Sequence, residues 1–240
     1  MQGPLAPPSA LVRAEWSRRI AAEYGSAAIT QHFTLWLIQL GAAPALITDG
    51  LRIVADELPH SELSHEVHVA AGGTAPPQLD RGTLGLSRNP SRPLEHDVLF
   101  AAVQVFCLGE TVAVPLFRHL RERCTVPVAR KTLDRVLRDE VRHRDFGWAI
   151  LDWFLETPLG PQVAGLVEPA LPAMFATLEA NYGGATPEPR AFADADRAWG
   201  LAPAHEYAEI VHATFGHDYL PRFRARGIDP NVAWARRAPR

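Results

Sequence analysis

One five-residue pattern occurs twice in this chain: Asp56-Glu57-Leu58-Pro59-His60 and Asp139-Glu140-Val141-Arg142-His143. Glu and His three residues apart share one face of an α-helix, so both side chains can reach a single partner. Composition alone would produce an Asp-Glu-x-x-His string only about 0.03 times in a chain like this, so two copies are a signal. The pattern chelates only on a helix, and the surrounding hydrophobic periodicity is helical almost throughout. No run of strand alternation interrupts it. The expected fold class is all-α.

Four long helices are expected. The first runs from about Ala10 to Leu40 with Ser9 as N-cap, and the break Gly41-Ala42-Ala43-Pro44 sends a second, about Ala45 to Val69, back antiparallel. Gly72-Gly73 stops that helix, and residues 74–93 form a long Gly/Pro/Arg/Ser-rich connection. A third helix spans about Glu95 to Arg121. A brief turn with Thr125 as N-cap and Pro127 in the first turn opens a fourth, about Val126 to Leu155. Short loop, long crossover, short loop is the connectivity of a ferritin-like four-helix bundle. Beyond Thr157-Pro158, shorter helices are expected near Gln162–Tyr182, Ala191–Trp199 and His205–Arg224, with a loose tail from Ala235 to Arg240. Residues 1–240 are read as one domain, 10–155 the bundle and 156–240 a C-terminal helical extension.

A carboxylate-rich centre also needs a carboxylate from each remaining helix, and Glu23 and Glu110 supply them. Glu110 lies about 18 Å below the end of the third helix and Glu140 about 21 Å below the start of the fourth, at 1.5 Å per residue. In the first hairpin the corresponding depths are about 25 Å for Glu23 and 20 Å for Glu57, with His60 closing the gap. The faces agree: Trp16, Ile20, Glu23, Ala27 and Thr30 form one apolar stripe, and Leu99, Val103, Phe106, Glu110, Ala113 and Phe117 another. A carboxylate inside such a stripe is costly unless a cation neutralises it. Pro59 and Pro115 each remove a backbone donor and are expected to kink or bulge their helices.

The pattern Glu23, Glu57-x-x-His60, Glu110, Glu140-x-x-His143 resembles that of the ferritin-like di-iron carboxylate superfamily, over roughly residues 10–155. The resemblance implies that Glu57 and Glu140 bridge two metals, that His60 and His143 bind one each, and that Glu23 and Glu110 are terminal or bridging ligands. It also implies that Asp56 and Asp139 orient the ligand histidines. A crossed arrangement is expected, Asp139 to His60 and Asp56 to His143, because each Asp sits about 100° around its helix from the ligand Glu. Two other Glu-x-x-His matches carry less. Glu62-x-x-His65 is turned about 140° from Glu57 and reads as a solvated face. Glu209-x-x-His212 reads as an exposed amphipathic helix, with an extra ligand or proton relay as the alternative. His32 and His119 lie on the opposite helix face from the ligands and read as structural.

Carboxylate-rich, histidine-poor ligation suits two Fe ions, with Mn/Fe as the alternative, and leaves open positions for O2 as co-substrate. No Tyr stands on the metal face near Glu57, which argues against a radical-generating subunit. Cys107 and Cys124 form no Cys-x-x-Cys electron-transfer module. Small residues beside the ligands (Ala27, Thr30, Gly109, Ala113) leave room for a substrate, and the extension can wall a pocket. The reading favoured is a non-haem di-iron oxygenase or hydroxylase oxidising a small, largely apolar or aromatic molecule, N-oxygenation among the options, with an external electron donor. The alternative is a ferroxidase- or peroxidase-type iron-handling protein without organic substrate. The extension serves equally well as a homodimer interface.

Composition sets the remaining bounds. With 47% hydrophobic and 21% charged residues, a 240-residue chain buries a sizeable core and is not disordered. A net charge of −3 without a basic stripe argues against nucleic acid and anionic membranes as partners. Lys131 is the sole lysine, which leaves little room for Schiff-base chemistry. No run of eighteen apolar residues occurs, and the first residues lack the charged and apolar regions of a signal peptide. A cytoplasmic location is expected.

Overall fold

The computed structural model describes residues 7–182 and 192–237. Among these residues every regular element is helical. Helix α1 (Ala10–Gln39) starts at Ser9, whose Oγ accepts from the Val12 amide at 3.2 Å, as its position predicts. It ends where Gly41 enters the left-handed region at φ 69° and Ala42 N–H bonds back to Leu37 O. Pro44 then opens α2 (Pro44–Ala70), which packs along α1. Pro59 sits within an unbroken α-helical run.

The crossover of residues 71–93 is tied down by polar contacts. Buried Asp97 accepts from Arg88 at 2.8 Å, Arg92 at 2.6 Å and the Asn89 amide at 3.0 Å. His32 Nδ1 accepts from the Leu86 amide at 3.1 Å, which gives that histidine a structural role. Helix α3 (Leu94–Glu122) is central and its antiparallel partner is α4 (Pro127–Glu156). Thr125 does not cap α4, contrary to expectation. No side chain caps the helix; the amides of Thr125 and Val126 both donate to Ala198 O, which ties the entry of α4 to the extension.

The largest departure lies inside α3. Residues Ala102–Glu110 form a π-helix that ends at Glu110, whereas the sequence placed the irregularity at Pro115. A run of i→i+5 bonds is rare and commonly marks a functional site. Two contacts accommodate it. Gly147 of α4 lets the backbone approach: a Cβ there would stand 2.6 Å from Phe106 C and 2.8 Å from Cys107 N. Buried Tyr219 donates its hydroxyl to Leu108 O at 2.7 Å. Tyr219→Phe leaves that carbonyl without this donor in a dry site, a cost of about 1–3 kcal/mol. Tm is expected to fall by roughly 2–12 °C in a protein of this size, and an unchanged melting curve would refute the role.

After α4 come a short 3-10 turn (Gly160–Gln162) and α5 (Val163–Tyr182), which packs on the π segment of α3. The expected helix at 191–199 is reduced to α6 (Asp194–Arg197), and Ala191 lies outside the described residues. Helix α7 (204–224) contains a second π segment, Phe215–Tyr219, and α8 is Asn231–Ala235. The chain after Ala235 is less loose than expected as far as Arg237, which bonds Glu179 at 2.7 Å; residues 238–240, like Met1 to Ala6, lie outside the described residues.

Two hydrophobic clusters flank one polar layer. Phe33, Ile53, Phe106 and Phe146 belong to the first, and Trp16, Val67, Leu120 and Leu133 to the second. Their numbering on the four helices leaves a gap at about residues 23, 57–60, 110 and 140–143. Leu94–Glu122 and Gly160–Tyr182 are long and apolar enough to cross a membrane by length and composition. The first has that character as the bundle's central, largely buried helix.

Candidate metal centre

The six residues singled out by spacing meet in this layer. Exposure is 7% for Glu23, 1% for Glu57, 9% for Glu110, 2% for Glu140 and zero for both histidines. His60 Nδ1 lies 3.4 Å from Glu57 Oε2 and 3.7 Å from Glu23 Oε2. His143 Nδ1 lies 3.2 Å from Glu57 Oε1 and 3.7 Å from Glu140 Oε2. Two overlapping groups result, each with ligand atoms mutually within 4.8 Å: Glu23, Glu57, His60 and Glu140, then Glu57, Glu110, Glu140 and His143. Glu57 and Glu140 belong to both, which is the geometry of shared carboxylates.

Four buried atoms here lack a hydrogen-bond partner: His60 Nδ1, His143 Nδ1, Glu57 Oε2 and Glu140 Oε2. Unpaired polar atoms are rare in a folded interior and demand an explanation. A pair of divalent cations supplies one, because all four are free ligand atoms aimed into one layer. The residues present therefore fit a dimetal centre.

Charge tells the same story. Burial and the charge of Glu57 raise Glu23 to about 7, against the pull of His60. Burial, with Glu57 adding, raises Glu110; burial with Glu110 and Glu57 lifts Glu140 well above the carboxylate range. Burial also acts on Glu57, but His143 and His60 outweigh it and hold this carboxyl far below that range. The histidines move up despite burial, His60 to about 10 beside Glu23 and Glu57, His143 to about 9 beside Asp56 and Glu57. Three of the four carboxyls, Glu23, Glu110 and Glu140, are thus favoured in the protonated form, and metal loading must release those protons.

The other ring nitrogens face the aspartates in a crossed pairing. Asp139 Oδ2 lies 3.1 Å from His60 Nε2, and Asp56 Oδ2 lies 3.4 Å from His143 Nε2. An Nε2–H held this way leaves Nδ1 as the lone-pair nitrogen facing the carboxylates. Arg142 bridges both aspartates, 2.7 Å to Asp56 and 3.3 Å to Asp139, while Arg135 and Arg138 bond Asp139 as well. Asp139→Asn is expected to lower metal affinity about 10–100-fold with the fold intact. Unchanged affinity by competition with a chelator would refute that support.

Some participants escaped the sequence reading. Ser26 donates to Glu57 Oε1 at 2.9 Å. Its place three residues after Glu23 put it on the right face, but serine on a helix carries no metal signal. Arg142 lies inside the second motif, where its first-motif counterpart is Pro59, and that asymmetry was the clue. Other candidates do not join the layer. Glu62 is exposed and His65 stacks on His68. Glu209 and His212 are exposed, and His119 bonds Glu206 at 2.5 Å.

A cavity of about 120 Å³ opens onto Glu23, Glu57, Glu110 and Glu140. Ala113, Leu116, Phe117 and Leu120 form its apolar wall. Tyr182 and Tyr207 of the extension close it, while Glu15, Arg18 and Arg19 lie along α1. Of the four small residues expected beside a substrate, Ala113 lines this space, whereas Ala27, Thr30 and Gly109 do not.

No protein-family model matches the chain, and no curated protein matches its sequence. Among solved structures, "Protein 19 with aldehyde deformylating oxidase activity from Synechococcus" superposes with a TM-score of 0.58 at 20% identity. The likeness covers 95% of this chain and 96% of that one, so it extends past the four bundle helices into the extension. Identity this low speaks for the fold alone. The chain has a ferritin-like helical-bundle fold, shared along nearly its whole length with that protein, and its buried Glu/His layer fits a dimetal site.

Proposed function

We propose that the chain is a di-iron oxidoreductase that uses O2 to oxidise a small organic molecule. Glu23, Glu57, His60 and Glu140 would hold one ion, and Glu57, Glu110, Glu140 and His143 the other. When bound, the metal pair supplies the redox chemistry and O2 activation that no side chain here provides. The observation that carries the substrate half of this reading is the cavity on the carboxylate layer. Leu116, Phe117 and Leu120 line one side and Tyr182 and Tyr207 another, with Glu15, Arg18 and Arg19 along α1, and the apolar and aromatic surface gives an organic molecule something to pack on. The aspartates keep each histidine in one tautomer, and the arginines over them hold those aspartates ionised. The apolar wall excludes bulk water from the reacting atoms. Because the Synechococcus protein has aldehyde deformylating oxidase activity, an aldehyde is among the first substrates to try.

An external electron donor, a cytoplasmic location and an Fe/Fe rather than Mn/Fe pair belong to this proposal, as does one domain over residues 1–240. The iron-handling alternative predicts Fe(II) oxidation indifferent to organic additives. O2 uptake by the iron-loaded chain with a chemical reductant, with and without small aldehydes, acids and aromatic amines, separates the two. Uptake coupled to an oxidised organic product supports the oxidase. Identical uptake and no product with every candidate leaves the iron-handling reading.

A further inference from the structure

Residues 20–48 contain a single Asp, Glu, Lys or Arg, and that residue, Glu23, is turned into the metal layer. Most of α1 and the first turn of α2 therefore show solvent a surface without charge. Tyr24, Ala28, Gln31, Leu35 and Ile38 recur at steps of four and three, which makes one stripe along α1, turned about 100° from Glu23. Leu51, Ala55 and Leu58 make the matching stripe on α2. Tyr24, Leu35, Ile38, Leu51 and Leu58 are each between 40% and 52% exposed.

The two stripes border the same seam. Ser61 of α2 donates to Ile20 O at 3.0 Å, and Gly50 packs against Thr34. Tyr24 and Ile38 each follow one of these α1 residues by four positions, and Leu58 precedes Ser61 by three, so all three lie beside the contact. The Gly50–Thr34 contact sets Leu35 level with Leu51, and the Ser26–Glu57 bond of 2.9 Å sets Tyr24 close to the level of Leu58. One continuous apolar patch results. Ala14, Ser17 and Ala21 carry its uncharged strip on towards the start of α1.

Size and charge say what covers it. A 30-residue helix is about 45 Å long and two helices side by side are about 18 Å wide, so the face measures roughly 800 Å². That exceeds the roughly 300–600 Å² of the largest apolar patch on an ordinary monomer and matches the roughly 800 Å² per partner of a stable complex. Redox encounters are smaller and steered by charge, and helices that lie on membranes carry a Lys/Arg-rich face. This face offers neither. Depletion of charge at the centre is the composition of a homodimer interface.

We propose that the α1–α2 face packs on the same face of a second copy, giving a homodimer whose two-fold axis passes near Gln31, midway between Tyr24 and Ile38. The interface then lies on the bundle and not on the extension. Tyr24 and Leu58 directly follow the ligand residues Glu23 and Glu57 in the chain, so the partner copy braces the outer side of both helices that carry them. The assignment does not rest on the oxidase reading.

Light scattering on the intact chain at about 10 μM is expected to give twice the mass of 26.4 kDa, within the affinity range of an interface this size. Leu35→Glu combined with Leu51→Glu should weaken self-association at least about 100-fold, because the dimer would bury four unpaired carboxylates. Val232→Glu on α8, at a residue 58% exposed, should leave it unchanged. A cross-link provides a second readout without added charge. Gln31→Cys should join to its own copy through a short bis-maleimide, and Val232→Cys should not, since Cys107 and Cys124 are fully buried and stay unreactive. Should the double variant fail to fold, this cross-link decides. A monomer at about 100 μM, a dimer unmoved by the double variant, a dimer broken by Val232→Glu, or a dimer without the Gln31→Cys cross-link overturns the proposal. A monomer that sediments with phosphatidylglycerol vesicles overturns it too and makes the face a membrane surface.

Discussion

Glu140→Ala is expected to hold fewer than one metal ion per chain where the unaltered protein is expected to hold two. Glu140 contributes an oxygen to both ligand groups, and so does Glu57. Removing either takes a ligand from each ion at once, whereas Glu23 and Glu110 each belong to one group. The buried imidazoles make the effect larger. His143 Nδ1 faces Glu57 and Glu140 at 3.2 and 3.7 Å, and losing Glu140 unbalances the charge around it. Metal content by mass spectrometry after iron loading gives the answer, with circular dichroism as the control for folding. Full two-ion loading of Glu140→Ala would overturn the assignment of the centre.

Gly147→Ala is expected to destabilise the fold although alanine is the better helix former by about 1 kcal/mol. The added methyl would meet the backbone and Cβ of Phe106 at 2.6 Å, and backbone cannot rotate aside. Either α4 or the π segment of α3 must move, and overpacking of this kind costs about 1–3 kcal/mol or more. Because the clash is with backbone, the cost lies at the upper end of that range, and against the gain in helix propensity we expect a net loss of about 2 kcal/mol and a Tm lower by roughly 4–8 °C. Glu110 ends the π segment, so metal affinity should fall as well. A variant as stable as the parent, with full metal affinity, would show that the close approach of α3 to α4 is not needed.

Residue by residue, the sequence accounts for part of this arrangement. The ligand set and its common level follow from rise and period, which are local properties of an α-helix. That is why Glu23, Glu57, His60, Glu110, Glu140 and His143 reach one layer, and why the crossed aspartate–histidine pairs form. The ends at Ser9 and Gly41 were legible for the same reason, since a cap depends on a few neighbouring residues. The π segment was not. Residues 102–109 are almost uniformly apolar, so their pattern fits an i→i+4 or an i→i+5 winding equally well.

The chain's own pattern thus determined the helices, their connectivity and the chemistry of the buried layer, because each rests on spacings of three to seven residues along one strand of sequence. Tertiary structure alone decided where α3 departs from the α form, through Gly147 and Tyr219, which lie 37 or more positions after Glu110. It decided that Ala198 O, through the Thr125 and Val126 amides, anchors the entry of α4, and that Arg142 holds Asp56 across 86 positions of chain. It also decided the cavity, whose wall joins α1 and α3 to Tyr182 and Tyr207 of the extension. The physical reason is common to all four. Packing energy depends on which surfaces meet, and residues far apart in sequence carry no periodic mark of their future partner.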